Sequence, residues 1–121
     1  MNDLIIEGTE NSPYIKFNVD GKLQIKGRAI PDNAIIMFEP LQTWLKDLKA
    51  NSVLFDINLE YLNTSASMQL FSLLQDLDSN SDFEEVKVVW HYEVDDEDHY
   101  DTGLTYEEKL DRIVFEYKME A

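Results

Sequence analysis

Cysteine is absent from the 121 residues, which excludes disulfides, thiol catalysis and thiolate metal sites and leaves oxygen and imidazole as the available reacting groups. Imidazole is itself scarce, and His91 and His99 match no zinc-binding spacing. With only 4 glycines and 3 prolines, the chain has no glycine-rich loop to cradle a nucleotide. It also has no Gly-x-Ser-x-Gly elbow, so Ser65 and Ser67 with two distant histidines do not make a hydrolase. The longest uninterrupted apolar run, from Ala34 to Phe38, is far short of the roughly 20 residues that a membrane-spanning helix needs. Asp3 and Glu7 stand where a secretion signal requires basic residues. A cytoplasmic protein without membrane contact is expected. Basic side chains are few as well: Lys+Arg 10 against Asp+Glu 25 gives a net charge of -15. Such a surface repels a nucleic-acid backbone and an anionic bilayer, so neither is expected as a partner.

What is present is enough for one packed core, at 44% hydrophobic and 12% aromatic residues, and the length is that of a single domain spanning 1–121. The charge is uneven. Residues 1–60 hold 9 acids and 6 bases (net -3), whereas residues 61–121 hold 16 and 4 (net -12). A partner steered by electrostatics should therefore meet the second half with a basic surface.

Tyr14, Phe17, Leu23 and Ile25 flank Asp20-Gly21, a dipeptide suited to a tight turn, and predict an opening hairpin. After the turn and cap residues Pro31-Asp32-Asn33, the residues Ala34, Met37, Phe38, Leu41, Trp44, Leu45 and Leu48 recur at helical spacing. Pro40 either kinks that helix or opens a second segment near Glu39. Val53, Phe55, Ile57 and Leu59 alternate in a buried strand over 52–59. From Ser65, Leu70, Phe71, Leu74 and Leu77 trace a helix that stops in the polar cluster 78–82. Residues 86–92 form a fourth strand, and 93–101 read as an acidic loop. The tail reads as helix to about Arg112 and then strand. The order β-β-α-β-α-β-α-β is that of a mixed central sheet with helical crossovers, an α/β fold whose strand-to-helix junctions are the usual functional positions. Trp44 and Trp90 fall on apolar faces as core residues, and Met37 and Met68 read as packing or interface residues.

One such junction is Tyr61-Leu62-Asn63-Thr64-Ser65. The plain reading is that one of these side chains caps the first turn of the following helix. The sharper reading is that Thr64 accepts a phosphate, which would sit at the positive helix end. Geometry inferred from sequence does not choose between them. Asp95, Asp96, Glu97 and Asp98 lack the alternating ligands, central glycine and distal glutamate of a calcium loop, and read as a solvated segment available to a basic partner. A divalent-metal-binding domain built on these four acids is the alternative. An enzyme with Thr64 or Ser65 as nucleophile lacks any base in a recognisable motif, so no catalytic residue and no cofactor is expected.

These residues together resemble the SiaC family of bacterial regulatory phosphoproteins, whose fold is similar to the STAS domains of anti-sigma-factor antagonists such as SpoIIAA. The likeness rests on residues 6–13 (Ile-Glu-Gly-Thr-Glu-Asn-Ser-Pro), on 21–28, on Pro31-Asp32-Asn33 with Phe38, Leu41 and Trp44, on 59–65, and on Trp90-His91-Tyr92-Glu93 followed by the four acids. Ala66 departs from the serine expected there, as does Ile30, and the segment from Thr102 matches loosely. The resemblance implies phosphorylation on Thr64 by a dedicated serine/threonine protein kinase, within a motif loop of Tyr61, Leu62, Asn63 and Ser65. It implies reversal by a metal-dependent protein phosphatase and, in the unmodified state, binding and activation of a diguanylate cyclase, linking the switch to cyclic di-GMP signalling and biofilm formation.

Overall fold

Gly21 turns the chain back on itself with φ +96, and a Cβ there would stand 2.3 Å from the Ser52 carbonyl oxygen. Only glycine fits both requirements. Asp20 Oδ1 accepts from the Lys22 amide at 3.0 Å and closes the turn. The computed structural model describes residues 1–120. The turn joins β2 (Tyr14–Phe17) to β3 (Lys22–Ala29), and a short β1 (Leu4–Ile6) adds a third antiparallel strand, with Leu4 opposite Phe17 and Ile6 opposite Ile15. The sequence reading missed β1, because three apolar residues without alternation carry no strand period.

From β3 onward every strand is parallel to the next: β4 (Ser52–Leu62), β5 (Glu85–Glu93) and β6 (Val114–Glu120), in a six-strand sheet ordered β1-β2-β3-β4-β5-β6. Right-handed crossovers between successive parallel strands place α1 (Ala34–Lys46), α2 (Thr64–Ser79) and α3 (Glu97–Lys109) on one face of the sheet. The alternate side chains Val53, Phe55, Ile57 and Leu59 of β4 and Val86, Val88 and Trp90 of β5 meet Phe38, Leu41, Leu70, Leu73 and Leu74 of the helices. Each large side chain so buried contributes about 1.5–3 kcal/mol. The opposite sheet face is uncovered, which is why strands read as continuously parallel still alternate with Lys16, Lys26, Asp56, Lys87 and Lys118.

Three expectations are corrected. Pro40 does not open a second segment, since Ala34–Lys46 is one helix with Pro40 inside it. Pro40 lies on the exposed side beside exposed Ile36, where water can serve the carbonyl that loses its amide partner. The acidic loop over 93–101 is mostly helix: Asp96 caps α3 by accepting from the His99 amide at 3.0 Å, and Glu97 and Asp98 occupy the first turn, where the helix dipole favours carboxylates. His99 is therefore helical, and the stripe His99, Gly103, Tyr106 and Leu110 is the period that the acid content obscured. Trp44 is only half-buried, with its indole N–H donating to the Asn2 carbonyl at 2.8 Å, whereas Trp90 is fully buried. Met68 is exposed and packs on nothing in the core.

Asp78 ties the end of α2 to the chain entering β6. Its carboxylate accepts from the amides of Asp111 (3.0 Å), Arg112 (2.7 Å) and Ile113 (3.0 Å), and the Arg112 guanidinium donates to the carbonyls of Asp78, Asn80 and Phe83. Desolvation pushes the Asp78 pKa up, but the three amides and the Arg112 charge outweigh it and hold the group below its usual 3.8. A depressed folded-state value stabilises the fold above pH 3.8, and that contribution is lost as pH falls through the lower folded value. Asp78→Ala should cost about 1–3 kcal/mol in urea unfolding and remove that acid-sensitive component from the stability profile. A second test of the core is Gly103→Ala. Helix propensity alone favours alanine by about 1 kcal/mol, but the new Cβ would lie 2.8 Å from the buried Trp90 indole nitrogen. Overpacking against a ring with no room to move should win, with a net loss of about 1 kcal/mol or more. Equal or higher stability of the variant would contradict that packing.

Candidate functional site

The parallel strands end their carboxyl edge at the motif. Residues 53, 55, 57 and 59 point into the core, and strict alternation would bury Tyr61 as well. A bulge prevents this: Leu59 pairs with Gly27, but Tyr61 pairs with Arg28, so Glu60 is the extra residue, and Gly27 takes φ +121 opposite it. Leu62 now packs on the core and Tyr61 is exposed, with the Arg28 guanidinium 4.7 Å from its ring centroid. The motif is thus not a loop. Tyr61 and Leu62 end β4, Asn63 is the single linking residue, and Thr64 and Ser65 begin α2.

Asn63 fills the capping role that the plain reading gave to one of these side chains. Its side-chain oxygen accepts from the Ala66 amide at 2.8 Å and its side-chain amide donates to the Pro31 carbonyl at 3.3 Å. Its backbone N–H donates to Ala29 at 3.0 Å and its carbonyl accepts from Ser67 at 2.8 Å. The cap is therefore Asn63, and Thr64 is the exposed first residue of the helix. Beyond it, Met68 of α2 (67% exposed) and Ile35 of α1 (64%) line one depression with Ser65 and Asp32, and Ile36 (65%) lies next to Ile35. Ile35 and Met68 thus present aliphatic surface to one depression, a candidate contact surface for another protein. Sequence reasoning missed Ile35 and Ile36 because both fit a helical apolar run.

On the other side of the motif, a cavity of ≈ 230 Å³ is lined by Glu60, Tyr61, Leu62, Ser67, Asp96, Asp98, His99 and Thr102. The structure thus brings two of the four predicted acids, Asp96 and Asp98, to the motif; Asp95 and Glu97 do not line this cavity. The Tyr106 hydroxyl donates to the Ser67 carbonyl at 2.6 Å and holds α3 against α2 there. His99 stacks on Trp90 with centroids 4.7 Å apart, and burial pushes its pKa down against the opposing pull of Asp96 and of the His91 backbone. His91, on the uncovered sheet face, lies between Glu120 at 2.6 Å and Asp56 at 3.0 Å, 7% exposed. The hydrogen bond from His91 is the main cause of a lowered Glu120 pKa. Among the described residues no three His, Asp or Glu side chains are grouped to hold a metal ion, and no helix is long and apolar enough to cross a membrane.

A sequence model described as the SiaC family regulatory phosphoprotein matches residues 6–120. The chain belongs to the SiaC family. Solved structures similar to it include SiaC of Pseudomonas aeruginosa, at 25% identity with TM-score 0.81, covering 99% of this chain and 100% of that one. The crystal structure of apo-SiaC from the same organism matches at 28% identity and TM-score 0.74, with 100% of both chains covered. A third is a crystal structure of the diguanylate cyclase SiaD in complex with its activator SiaC, also from Pseudomonas aeruginosa, at 26% identity and TM-score 0.80, covering 98% of this chain and 100% of that one. No curated protein sequence matches the chain. As a SiaC-family member, this chain is of a regulatory class.

Because Asn63 satisfies groups on both α2 and the turn before α1, Asn63→Ala should lower stability by about 1–2 kcal/mol. Asn63→Asp keeps the cap acceptor and loses only the donation to Pro31, so chemical denaturation should place it between the two. Equal stability of the alanine variant would show that the cap is dispensable.

Proposed function

We propose that this protein is a phosphorylation-controlled binding module whose acceptor is Thr64, and that the unmodified form binds and activates a diguanylate cyclase. The observation that carries the reading is the position of Thr64: exposed, first in α2, relieved of capping by Asn63, and flanked in the chain by Leu62, which lines the acidic cavity, and Ser65, which lines the depression of Ile35 and Met68. The SiaC relative captured as the activator of a cyclase supports the choice of partner. A serine/threonine kinase would add the phosphate and a metal-dependent phosphatase would remove it. The chain itself supplies no catalysis.

The physics needs only charge and desolvation. A phosphate brings about -1.5 to -2 charge and three acceptor oxygens. In a complex that covers Ile35, Ile36 and Met68, that dianion would have to leave water beside apolar surface, which is unfavourable unless a cation pairs with it. Incubation with the cognate kinase and ATP should add one phosphate by intact mass, and Thr64→Ala should abolish it; a phosphate found only on Ser65, Ser67 or a distant residue would refute the assignment. Thr64→Glu should weaken the cyclase complex at least tenfold, about 1.4 kcal/mol, and the phosphorylated protein should lose more, a carboxylate being a poor copy of a dianion. Neutralising Asp95, Asp96, Glu97 and Asp98 to their amides should instead slow association and flatten its salt dependence while the response to phosphorylation persists. Equal binding by the phosphorylated and unmodified protein would overturn the switch.

A further inference from the structure

The cavity between the end of β4 and the start of α3 carries features that the switch does not use. Its wall holds three carboxylates drawn from two elements, Glu60 from the β4 bulge and Asp96 and Asp98 from the α3 terminus. Glu60 and Asp98 are exposed, and Asp96 is half-buried because it also caps α3. His99 lines the same cavity at 8% exposure, and its Nε2 is buried without a hydrogen-bond partner. Burial holds this imidazole toward its neutral form. No hydrogen bond holds Nε2, so with the neutral ring's proton on Nδ1 it is an unpaired acceptor. A buried acceptor without a donor is unfavourable. It calls for an N–H.

We propose that this cavity is the seat of an arginine side chain contributed by the protein partner. A guanidinium carries five N–H donors in a planar fork, enough to serve Asp96, Asp98 and Glu60 together, and its charge matches theirs. It also offers the donor that Nε2 lacks. The aromatic ring of Tyr61 and the side chain of Leu62 supply an apolar flank for the arginine stem. The charge nearest to oppose it is Arg28, which lies over the Tyr61 ring, one cation against three carboxylates. The seat lies at the carboxyl end of the parallel strands, where open α/β sheets bind their ligands. Thr64 is not among its lining residues, so the anchor and the phosphate acceptor are neighbouring but separate parts of one interface. The proposal rests on the reading of this edge as a binding surface and adds the chemistry of what binds.

The test uses the whole unmodified protein and no partner, so its outcome is independent of which protein is activated and of whether Thr64 is phosphorylated. N-acetyl-arginine amide is titrated while backbone amide and imidazole NMR signals are followed, with N-acetyl-citrulline amide, its neutral isostere, as control. The expected result is a saturable shift centred on Tyr61, Leu62, His99 and Thr102 with the arginine probe and none with citrulline. Affinity should fall at least fivefold in the Asp96→Asn/Asp98→Asn double variant, which keeps a capping residue at position 96. His99→Phe keeps an aromatic ring against Trp90 and should also weaken the probe. Shifts spread equally over the acidic residues 76–85, binding of citrulline as strong as that of arginine, or unchanged affinity in either variant would overturn the seat. Intact arginine binding combined with failure to bind a cyclase would count against the proposed partner and leave the seat standing.

Discussion

Everything at the functional edge hangs on the four hydrogen bonds of Asn63. Its backbone N–H holds the end of β4 to Ala29 at the end of β3, and its side-chain amide reaches the Pro31 carbonyl in the turn that opens α1. Its side-chain oxygen and carbonyl start α2. One residue thereby fixes the relative position of two helix N-termini, and so the distance between Ile35 on one and Met68 on the other. A caps-only asparagine would secure α2 alone. Because this one also reaches Pro31, the exposed apolar surface is built from two elements that cannot slide independently.

The β4 bulge is the second constraint, and it acts on direction rather than position. Without the extra residue at Glu60, Tyr61 would continue the buried series of Phe55, Ile57 and Leu59. With it, Leu62 takes the core position, and Tyr61 and Glu60 turn outward to meet α3. The acid-rich first turn of that helix then lies against the motif instead of projecting into solvent, which places Asp96 and Asp98 within one cavity with residues 60–62. Two of the 16 acids of the second half of the chain are in this way brought to the motif. The uncovered sheet face, by contrast, sets Lys16, Lys22, Lys26, Lys87 and Lys118 beside Asp56, Glu116 and Glu120, so its charges largely offset one another.

Sequence periodicity made the large elements readable: the alternation of Val53 to Leu59 and the helical stripe of Leu70 to Leu77 are local patterns that packing had no reason to override. The opening hairpin was legible through Asp20-Gly21 because a positive φ leaves a residue-type signature. Thr64 was legible as a position, at a strand-to-helix junction, and through the family resemblance. What sequence did not disclose was long-range. The bulge at Glu60 depends on the register against Gly27, β1 depends on pairing with residues 15–17, and the meeting of Asp96 and Asp98 with Tyr61 depends on a crossover. The start of α3 was misread for a different reason. Asp96 and Asp98 are poor helix formers in the interior of a helix, but at a cap and in a first turn the same carboxylates favour the helix, so the sign of their effect turns on a boundary that composition does not mark.

The arrangement around Thr64 would let the proposed phosphate be added without disturbing the fold. Of the amides at the start of α2, those of Ala66 and Ser67 are already taken by Asn63, while those of Thr64 and Ser65 precede any intrahelical acceptor. A dianion at the first helical residue would therefore sit beside unpaired N–H groups and the positive end of the helix dipole, both favourable to it. The side chain that carries it is exposed and bears no structural hydrogen bond of the kind that Asn63 makes, so nothing in the core has to move. The unfavourable part of the modification arises only when a second surface approaches Ile35, Ile36 and Met68 and must strip water from the new charge. A switch of the proposed kind would change what the protein binds while leaving its fold unchanged, because Asn63, which secures the helix, and Thr64, the proposed acceptor, are adjacent but distinct.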